Sequence, residues 1–516
     1  MGPLRKLEAW LVQPRWRAVV LVLLLASALR LVHISWSYSS NGIDEGIMLE
    51  RAALVHQGYQ LYTEIPCDQA PLAFYLGAVL GGDVLSLRVL SAALSILAVV
   101  ACMEAARRIR GDTAMLVTGV LLAVDFAFLR ESRLFSLDGL ASSFLAFSLL
   151  SFVVYLKNDR PMYLAAAGIL VGLSAATKLL GAIAFLGMLL FMALEMRGHT
   201  KAKRTGTMRM ALFVIASAVP LGVFIKAIGP SDVLGGMVFD QSHRTFDPFL
   251  KLSILAYFGL NIAYVLPLAY ARALWRMGRE TKMLMCVSIL VLAFMVLQPL
   301  VFLHHLAVAS PGLAVLAGVF LGGLIEQKNM AANLGSRHIS SEKTARLRRA
   351  GTAILVVGIL VSGGLAVYGP VAQERPSQVV YAEKLKGLTG EGDWVIAGDP
   401  LIAAYAGRLV PPDAVNVAYR VYPEITLERL ESAIIDYDVA VVVVCYRLND
   451  IDGLREFLLS HDYSLISDSY IGHGAGGALD LFQAGIGETS FFVRNDIVAD
   501  RGLPIQSQST GLTPYS

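Results

Sequence analysis

Charge is what this 516-residue chain has least of: Asp, Glu, Lys and Arg make up 16% of it, where a soluble protein carries about a quarter. That deficit excludes an ordinary water-solvated surface over most of the chain. The formal net charge is only +3, so no bulk attraction to nucleic acid follows. Cysteine is also scarce. Cys67, Cys102, Cys286 and Cys445 show no metal-ligand spacing, which excludes a zinc-finger type of site. Cys67 and Cys445 fall on the same outer side in the topology below and could pair; free thiols are the expectation. There is no Asn-x-Ser/Thr sequon, internal repeat, low-complexity tract or heptad array.

What fills the chain is apolar: 56% hydrophobic residues and a mean hydropathy of +0.61. A membrane span needs about 20 mostly apolar residues, and about eleven such stretches are present. They lie near 17–36, 84–105, 113–129, 139–156, 162–177, 179–196, 210–228, 251–271, 283–303, 305–325 and 350–369. With a cytoplasmic N-terminus, every basic loop falls on one face. The first holds Arg15 and Arg17, the next Arg107 and Arg108, and a later one Arg276 and Arg279. The last runs from Lys328 to Arg349. The positive-inside rule expects that arrangement. It also supports dividing 162–196 at Lys178, because a single span there would put the next three basic loops outside. The first apolar run has no small-residue cleavage site and continues to Trp36 and Tyr38, so it reads as a retained anchor.

After about residue 370 the charge density becomes ordinary and no spanning run remains. The expected architecture is therefore an α-helical polytopic membrane protein of about eleven transmembrane helices. Residues 1–370 form the transmembrane domain, with an outer loop at 37–83, and residues 371–516 form a C-terminal extracytoplasmic α/β domain. In that tail, 394–397 and 439–445 read as strands, and 401–406, 427–435 and 454–460 as helices. Residues beyond about 495 read as a loose terminus. Gly472-His473-Gly474-Ala475-Gly476-Gly477 matches a dinucleotide fingerprint in letters. It precedes the strand-like Ala478 to Phe482 rather than a helix, so a hairpin turn is the reading adopted.

Charged groups at a membrane face are costly and usually functional. Four outer segments carry them. The loop at 37–83 holds Asp44, Glu45, Glu50, Glu64, Asp68 and Asp83; helix capping by Asp44 is the structural alternative. The junction Arg130 to Gly139 brings two arginines, Glu131 and Asp138, which could simply pair with each other. Lys178, in an apolar stretch, either snorkels to headgroups or binds a lipid phosphate as a point charge. His304-His305 and Asp240 to Arg244 complete the set. Adjacent histidines on a helix point to different faces, so interface orientation is the expected role for that pair.

Carboxylates and cations on one face suit sugar transfer from an anionic lipid. A carboxylate takes the acceptor proton, and cations stabilise the departing phosphate. The same residues leave open a polytopic transporter or lipid flippase without sugar transfer, or a scaffold that binds a partner through the tail. Inverted repeats would favour a transporter; none is evident.

The motifs are more specific in combination. Asn41-Gly42-Ile43-Asp44-Glu45-Gly46, followed by Gln69-Ala70-Pro71-Leu72, resembles the first outer loop of GT-C glycosyltransferases. The narrower resemblance is to the family 39 type, with protein O-mannosyltransferases and aminoarabinose lipid A transferases. Ala70-Pro71 stands where that group has a Lys-Pro-Pro-like segment. Arg133 with Asp138, Thr177-Lys178, Gln241 to Arg244, and His304-His305 through Pro311 resemble later family motifs in order. Asp399-Pro400, Ala406-Gly407-Arg408 and Pro411-Pro412 resemble a tail motif.

The resemblance implies an inverting glycosyltransferase at the outer face of the cell membrane. Its donor would be a polyprenyl-phosphate-linked monosaccharide, hexosyl or pentosyl. Its acceptor would be a protein, glycolipid or cell-wall hydroxyl. Asp44 would be the catalytic base. Glu45 and Asp138 would position the acceptor or a divalent metal ion. Lys178, Arg133 and Arg244 would bind the donor phosphate, and His304, His305 and Arg408 would line the site. No nucleotide cofactor and no nucleic acid is implied.

Overall fold

The computed structural model describes residues 14–36, 43–196, 203–239, 246–326, 341–372, 375–417, 424–470 and 488–505. The chain divides into two compact units. One comprises Met1–Ile34, Gln69–Ala73 and Leu85–Ala372, and the other Ser35–Asp68, Phe74–Val84 and Gln373–Ser516. The segments Asp240 to Arg244 and Gly472 to Phe482, both singled out above, lie outside the described residues.

The first unit is helical, and each apolar stretch read from the sequence falls on a helix or a bent pair of helices. Among the described residues, five helices are long and apolar enough to cross a membrane, or up to seven if each bent pair is one span. Helix length alone thus supports fewer crossings than about eleven. Pro161–Thr177, Leu180–Met196 and Gly351–Leu365 are apolar but shorter. The expected division of 162–196 is present: Lys178 takes an extended conformation (φ −151°, ψ 135°) between two helices.

The bends have local causes. Asp112–Val124 and Phe126–Ser132 meet at 64°. Between them Asp125 leaves the helix, and its carboxylate accepts the Phe128 N–H at 3.0 Å. Asp125 also accepts from the Tyr264 hydroxyl at 2.9 Å. A buried aspartate that caps a new helix breaks the one before it.

Close helix crossings depend on small residues, since lipid supplies no hydrophobic drive between helices. Gly168 and Gly172, four apart on Pro161–Thr177, face Lys203–Ile228. A Cβ at Gly168 would lie 2.8 Å from the Phe213 carbonyl oxygen, and one at Gly172 would collide with that of Ser217. Beside this crossing Phe152 packs edge-on against Tyr155, Phe191 and Phe213, with centroids 5.6, 6.0 and 5.7 Å away.

The second unit holds a four-stranded sheet: β1 (Val395–Ala397), β2 (Val441–Val444), β3 (Tyr463–Tyr470) and β4 (Glu488–Arg494), in the order β1-β2-β4-β3. β1 and β2 are parallel, with Ile396 opposite Val442; β4 is antiparallel to both of its neighbours. All four valines of β2 are buried, as a strand covered on both faces requires. Helices Pro400–Ala406, Leu427–Asp436 and Leu454–Ser460 lie where the sequence placed them. Of the expected loose terminus past 495, residues 506–516 lie outside the described residues, and Asn495–Arg501 is a helix. Its start is held by Arg494, which donates to both oxygens of Asp496 at 2.8 and 2.9 Å. All four cysteines are free and buried.

Candidate functional site

In the helical unit the site is organised around Asp138. Ser136 is the N-cap of Leu137–Asn158 and accepts the Asp138 N–H at 3.2 Å, while its own hydroxyl donates to Glu131. Gly139 allows the helix to start against the preceding turn: a Cβ there would lie 2.8 Å from the Glu131 carbonyl carbon and closer still to its oxygen. Asp138 is thereby fixed in a first helical turn. Lys178 Nζ lies 2.5 Å from Asp138 Oδ2, with side-chain exposures of 14% and 5%.

His304 and His305 come to the same carboxylate from the 3-10 segment Leu303–Ala309. His304 Nε2 is 4.0 Å from Asp138 Oδ2. The two imidazoles stand nearly perpendicular, with centroids 4.4 Å apart. One ligand-type atom from each of Asp138, His304 and His305 lies within 4.8 Å of the others. Adjacent positions on a 3-10 turn lie about 120° apart, so the backbone does not bring the two histidines together; their side-chain conformations do, setting the rings edge to face beside Asp138. His305 Nδ1 faces Gln298 Nε2 and the Phe302 N–H, each at 3.4 Å.

Arg133 sits elsewhere in this unit. Its NH1 and NH2 donate to the carbonyls of Leu29 and Val32 at 2.5 and 2.6 Å. Arg88 donates to the Ile34 carbonyl at 3.1 Å. Arg30 donates to Ser95 Oγ at 2.8 Å and to the Ala26 carbonyl at 3.2 Å. Three buried guanidiniums thus bond carbonyls in and just beyond the last turns of Pro14–Leu31, among them Leu29, one of the last four carbonyls that a helix leaves without partners.

The sequence reading missed Asp125. It is fully buried and bonded to Tyr264, while Tyr257 shares a hydrogen bond with Ser310 at 2.8 Å. The signal was available: Asp125 interrupts the apolar run at 113–129.

In the second unit Asp44 and Glu45 occupy the first turn of Ile43–His56. Asp44 is therefore inside the helix, where the N-terminal dipole favours a carboxylate. Asp44 is exposed and Glu45 buried. One turn on, buried Glu50 accepts the Val410 N–H at 3.1 Å. Burial pushes the Glu50 carboxyl up to about 8, against the pull of that bond. Arg51 follows, fully buried, 3.6 Å from Asp68 and 5.8 Å from the Phe74 ring centroid.

Arg408 does not join the carboxylates. Its guanidinium donates to Thr389 Oγ1 and carbonyl at 2.9 and 3.0 Å, and to the Ala406 and Gly407 carbonyls. It thereby closes the end of Pro400–Ala406. Asp399 is the tail residue beside the pair. It caps that helix by accepting the Leu401 N–H at 3.0 Å, and accepts from Gln378 at 3.2 Å. Burial raises its carboxyl to about 7, and the charges of Glu45 and Asp44 push the same way. Arg244 lies outside the described residues.

The chain resembles known proteins in sequence over part of its length and in fold over nearly all of it. Residues 68–224 match the family described as dolichyl-phosphate-mannose-protein mannosyltransferase. No curated protein matches in sequence over the chain. ArnT of Cupriavidus metallidurans in the apo state superposes with a TM-score of 0.62 at 14% identity, over 95% of this chain and 99% of that one. The same enzyme bound to undecaprenyl phosphate gives 0.61 at 14% identity, over 92% and 97%. The apo oligosaccharyltransferase of Archaeoglobus fulgidus gives 0.56 at 14% identity, over 90% and 74%. These are GT-C proteins, so the resemblance read from the motifs is borne out, and the chain has the fold of the GT-C glycosyltransferases.

Proposed function

We propose that this chain is a membrane glycosyltransferase that moves a monosaccharide from a polyprenyl-phosphate donor to an acceptor hydroxyl, with inversion, at the outer membrane face. The observation that carries the reading is the half-buried ammonium of Lys178, held by Asp138 at a helix break. A cation kept in an apolar unit against the Asp138 carboxylate can exchange that partner for a lipid phosphate. A protein of this fold has been captured with undecaprenyl phosphate, which supports the donor class.

In the transfer, Asp44 accepts the proton of the acceptor hydroxyl as its oxygen bonds to the anomeric carbon. The bond from that carbon to the phosphate oxygen breaks, and polyprenyl phosphate leaves with the electron pair. Lys178 neutralises the charge gained there. An exposed carboxylate in a first helical turn suits the base role, because it is both accessible and fixed. Arg133 keeps two of its nitrogens on backbone carbonyls, so the phosphate contact is assigned to Lys178, with Arg244 as its partner. Glu45 is assigned to acceptor positioning. The eleven-span topology with a cytoplasmic N-terminus is proposed with it, on the placement of basic loops.

A divalent metal is a second element of this reading. Asp138, His304 and His305 offer the nitrogen and oxygen donors of a three-ligand site with an open position. An ion there would act as a Lewis acid toward the leaving phosphate. Chelator washing is then expected to abolish transfer, and zinc or manganese to restore it. His304→Ala, which removes a direct ligand, is expected to raise the metal concentration needed by more than the about 10–100-fold that losing an outer-shell partner costs. Transfer unaffected by chelation would remove the metal.

The main reading is tested with purified chain in nanodiscs, radiolabelled polyprenyl-phosphate sugars and acceptor membranes. Labelled product is expected from the parent and none from Asp44→Asn. Product formed by correctly inserted Asp44→Asn at the parental rate would overturn the base assignment.

A further inference from the structure

The tail's sheet contains one parallel pair, and charges of the Asp44-Glu45 turn bear on a residue just past the end of each of its strands. β1 runs into Gly398-Asp399 and β2 into Cys445-Tyr446. In open α/β sheets the carboxyl ends of parallel strands form the usual ligand crevice, because the loops leaving them converge there. These two exits are tightly apposed: a Cβ at Gly398 would collide with the Cys445 carbonyl. Tyr446 takes a left-handed backbone (φ 47°), which ends the strand abruptly.

The helix carrying Asp44 is seated on this edge. A Cβ at Gly46 would lie 2.8 Å from the Pro400 carbonyl carbon and closer to the Leu401 nitrogen. Backbone therefore meets backbone directly beside Asp399. Asp399 is fully buried, and the carboxylates acting on it are Glu45 and Asp44. Tyr446 is half-buried, and Asp44 and Asp399 are among the charges that bear on its phenol. This edge belongs to the same compact unit as the outer-loop helix.

We propose that the carboxyl edge of β1 and β2 is the acceptor wall of the transfer site. Asp399 is a positioning residue for the Asp44-Glu45 turn, and Tyr446 contacts an uncharged, hydroxyl-bearing acceptor. The proposal rests on the reading of Asp44 as the base. Three carboxyl groups at one edge disfavour an anionic acceptor segment. A tyrosine offers an apolar face together with a hydroxyl that both donates and accepts, which suits a neutral polyol or saccharide.

The test uses the full chain in nanodiscs with radiolabelled donor lipid, and titrates acceptor membranes lacking this protein. Tyr446→Ala is expected to raise the half-saturating amount of acceptor membranes by about ten-fold, leave the donor KM unchanged, and be partly rescued in Tyr446→Phe. Asp399→Asn retains the helix cap, so it is expected to keep the parental Tm while kcat falls about ten-fold. Parental kinetics in both variants, or losses that merely track a lowered Tm, would overturn the wall. Asp44→Asn serves as the separate control. Its activity would sink the base assignment, whereas its inactivity beside unaffected Tyr446 and Asp399 variants would sink only the wall.

Discussion

Lys178 and Asp138 stand 40 positions apart in sequence and 2.5 Å apart in space, on two elements that each break a helix to present them. Lys178 caps Pro161–Thr177, and Asp138 opens Leu137–Asn158. Neither side chain has a water-like surrounding, so each lowers the cost of holding the other.

Removing one partner therefore has two effects that can be separated. Lys178→Met takes from buried Asp138 its ammonium partner, and a loss of up to roughly 3–5 kcal/mol is expected. Thermal unfolding in nanodiscs would show it as a lowered Tm. Adding Asp138→Leu is expected to return most of that stability, since an apolar pair of similar volume replaces a buried ion pair at little cost. Transfer activity stays lost in the double variant. Recovery of transfer along with stability would mean that the pair is structural only.

Gly139→Ala probes the same carboxylate through backbone geometry. The new Cβ meets the Glu131 carbonyl, which is backbone and cannot rotate away. The start of Leu137–Asn158 must shift, at a cost of about 1–3 kcal/mol. Transfer is expected to fall by more than the Tm change explains, because Asp138 moves with the turn. Normal transfer in the alanine variant would show that this turn tolerates displacement.

The outline of this fold was legible because membrane solvent writes it plainly: apolar stretches, basic residues gathered between them, and a break at Lys178 inside one apolar region. The α/β tail showed through the β-branched density of Val441 to Val444. Less legible were features that depend on contacts far along the chain. The convergence of His304 and His305 depends on side-chain conformations that their spacing does not encode. Arg133 carried a motif resemblance, but its work on the carbonyls of Leu29 and Val32 depends on tertiary packing. Arg408 is similar, spent on Thr389 and a helix end. Asp399 was noticed only as part of a motif, and its place beside Glu45 emerges from the sheet.

Arg133 gives a prediction of its own. Two of its nitrogens hold carbonyls at the end of Pro14–Leu31, so Arg133→Met should leave them bare in an apolar setting. A loss of about 1–3 kcal/mol per carbonyl left unsatisfied is expected. Lys at this position cannot supply the paired donors and should rescue only partly. For the fraction that remains folded, the donor KM is expected to stay at the parental value. A raised donor KM at unchanged Tm would return Arg133 to the phosphate.

Glu50 makes the second unit pH-sensitive, with a definite sign. Its folded carboxyl, pushed by burial to about 8, lies above the ordinary value of about 4.3. Folding therefore favours the protonated form. The stability it contributes is complete below the ordinary value and is lost as pH rises through about 8. The second unit should be firmer at pH 5 than at pH 9, opposite to a salt-bridged carboxylate. Hydrogen exchange at Val410, whose N–H donates to Glu50 at 3.1 Å, reports this locally. Protection there is expected to fall across the interval. Glu50→Gln keeps an acceptor oxygen without a titrating group, so its protection should remain flat. Equal loss of protection in parent and Glu50→Gln would place the pH response on another group.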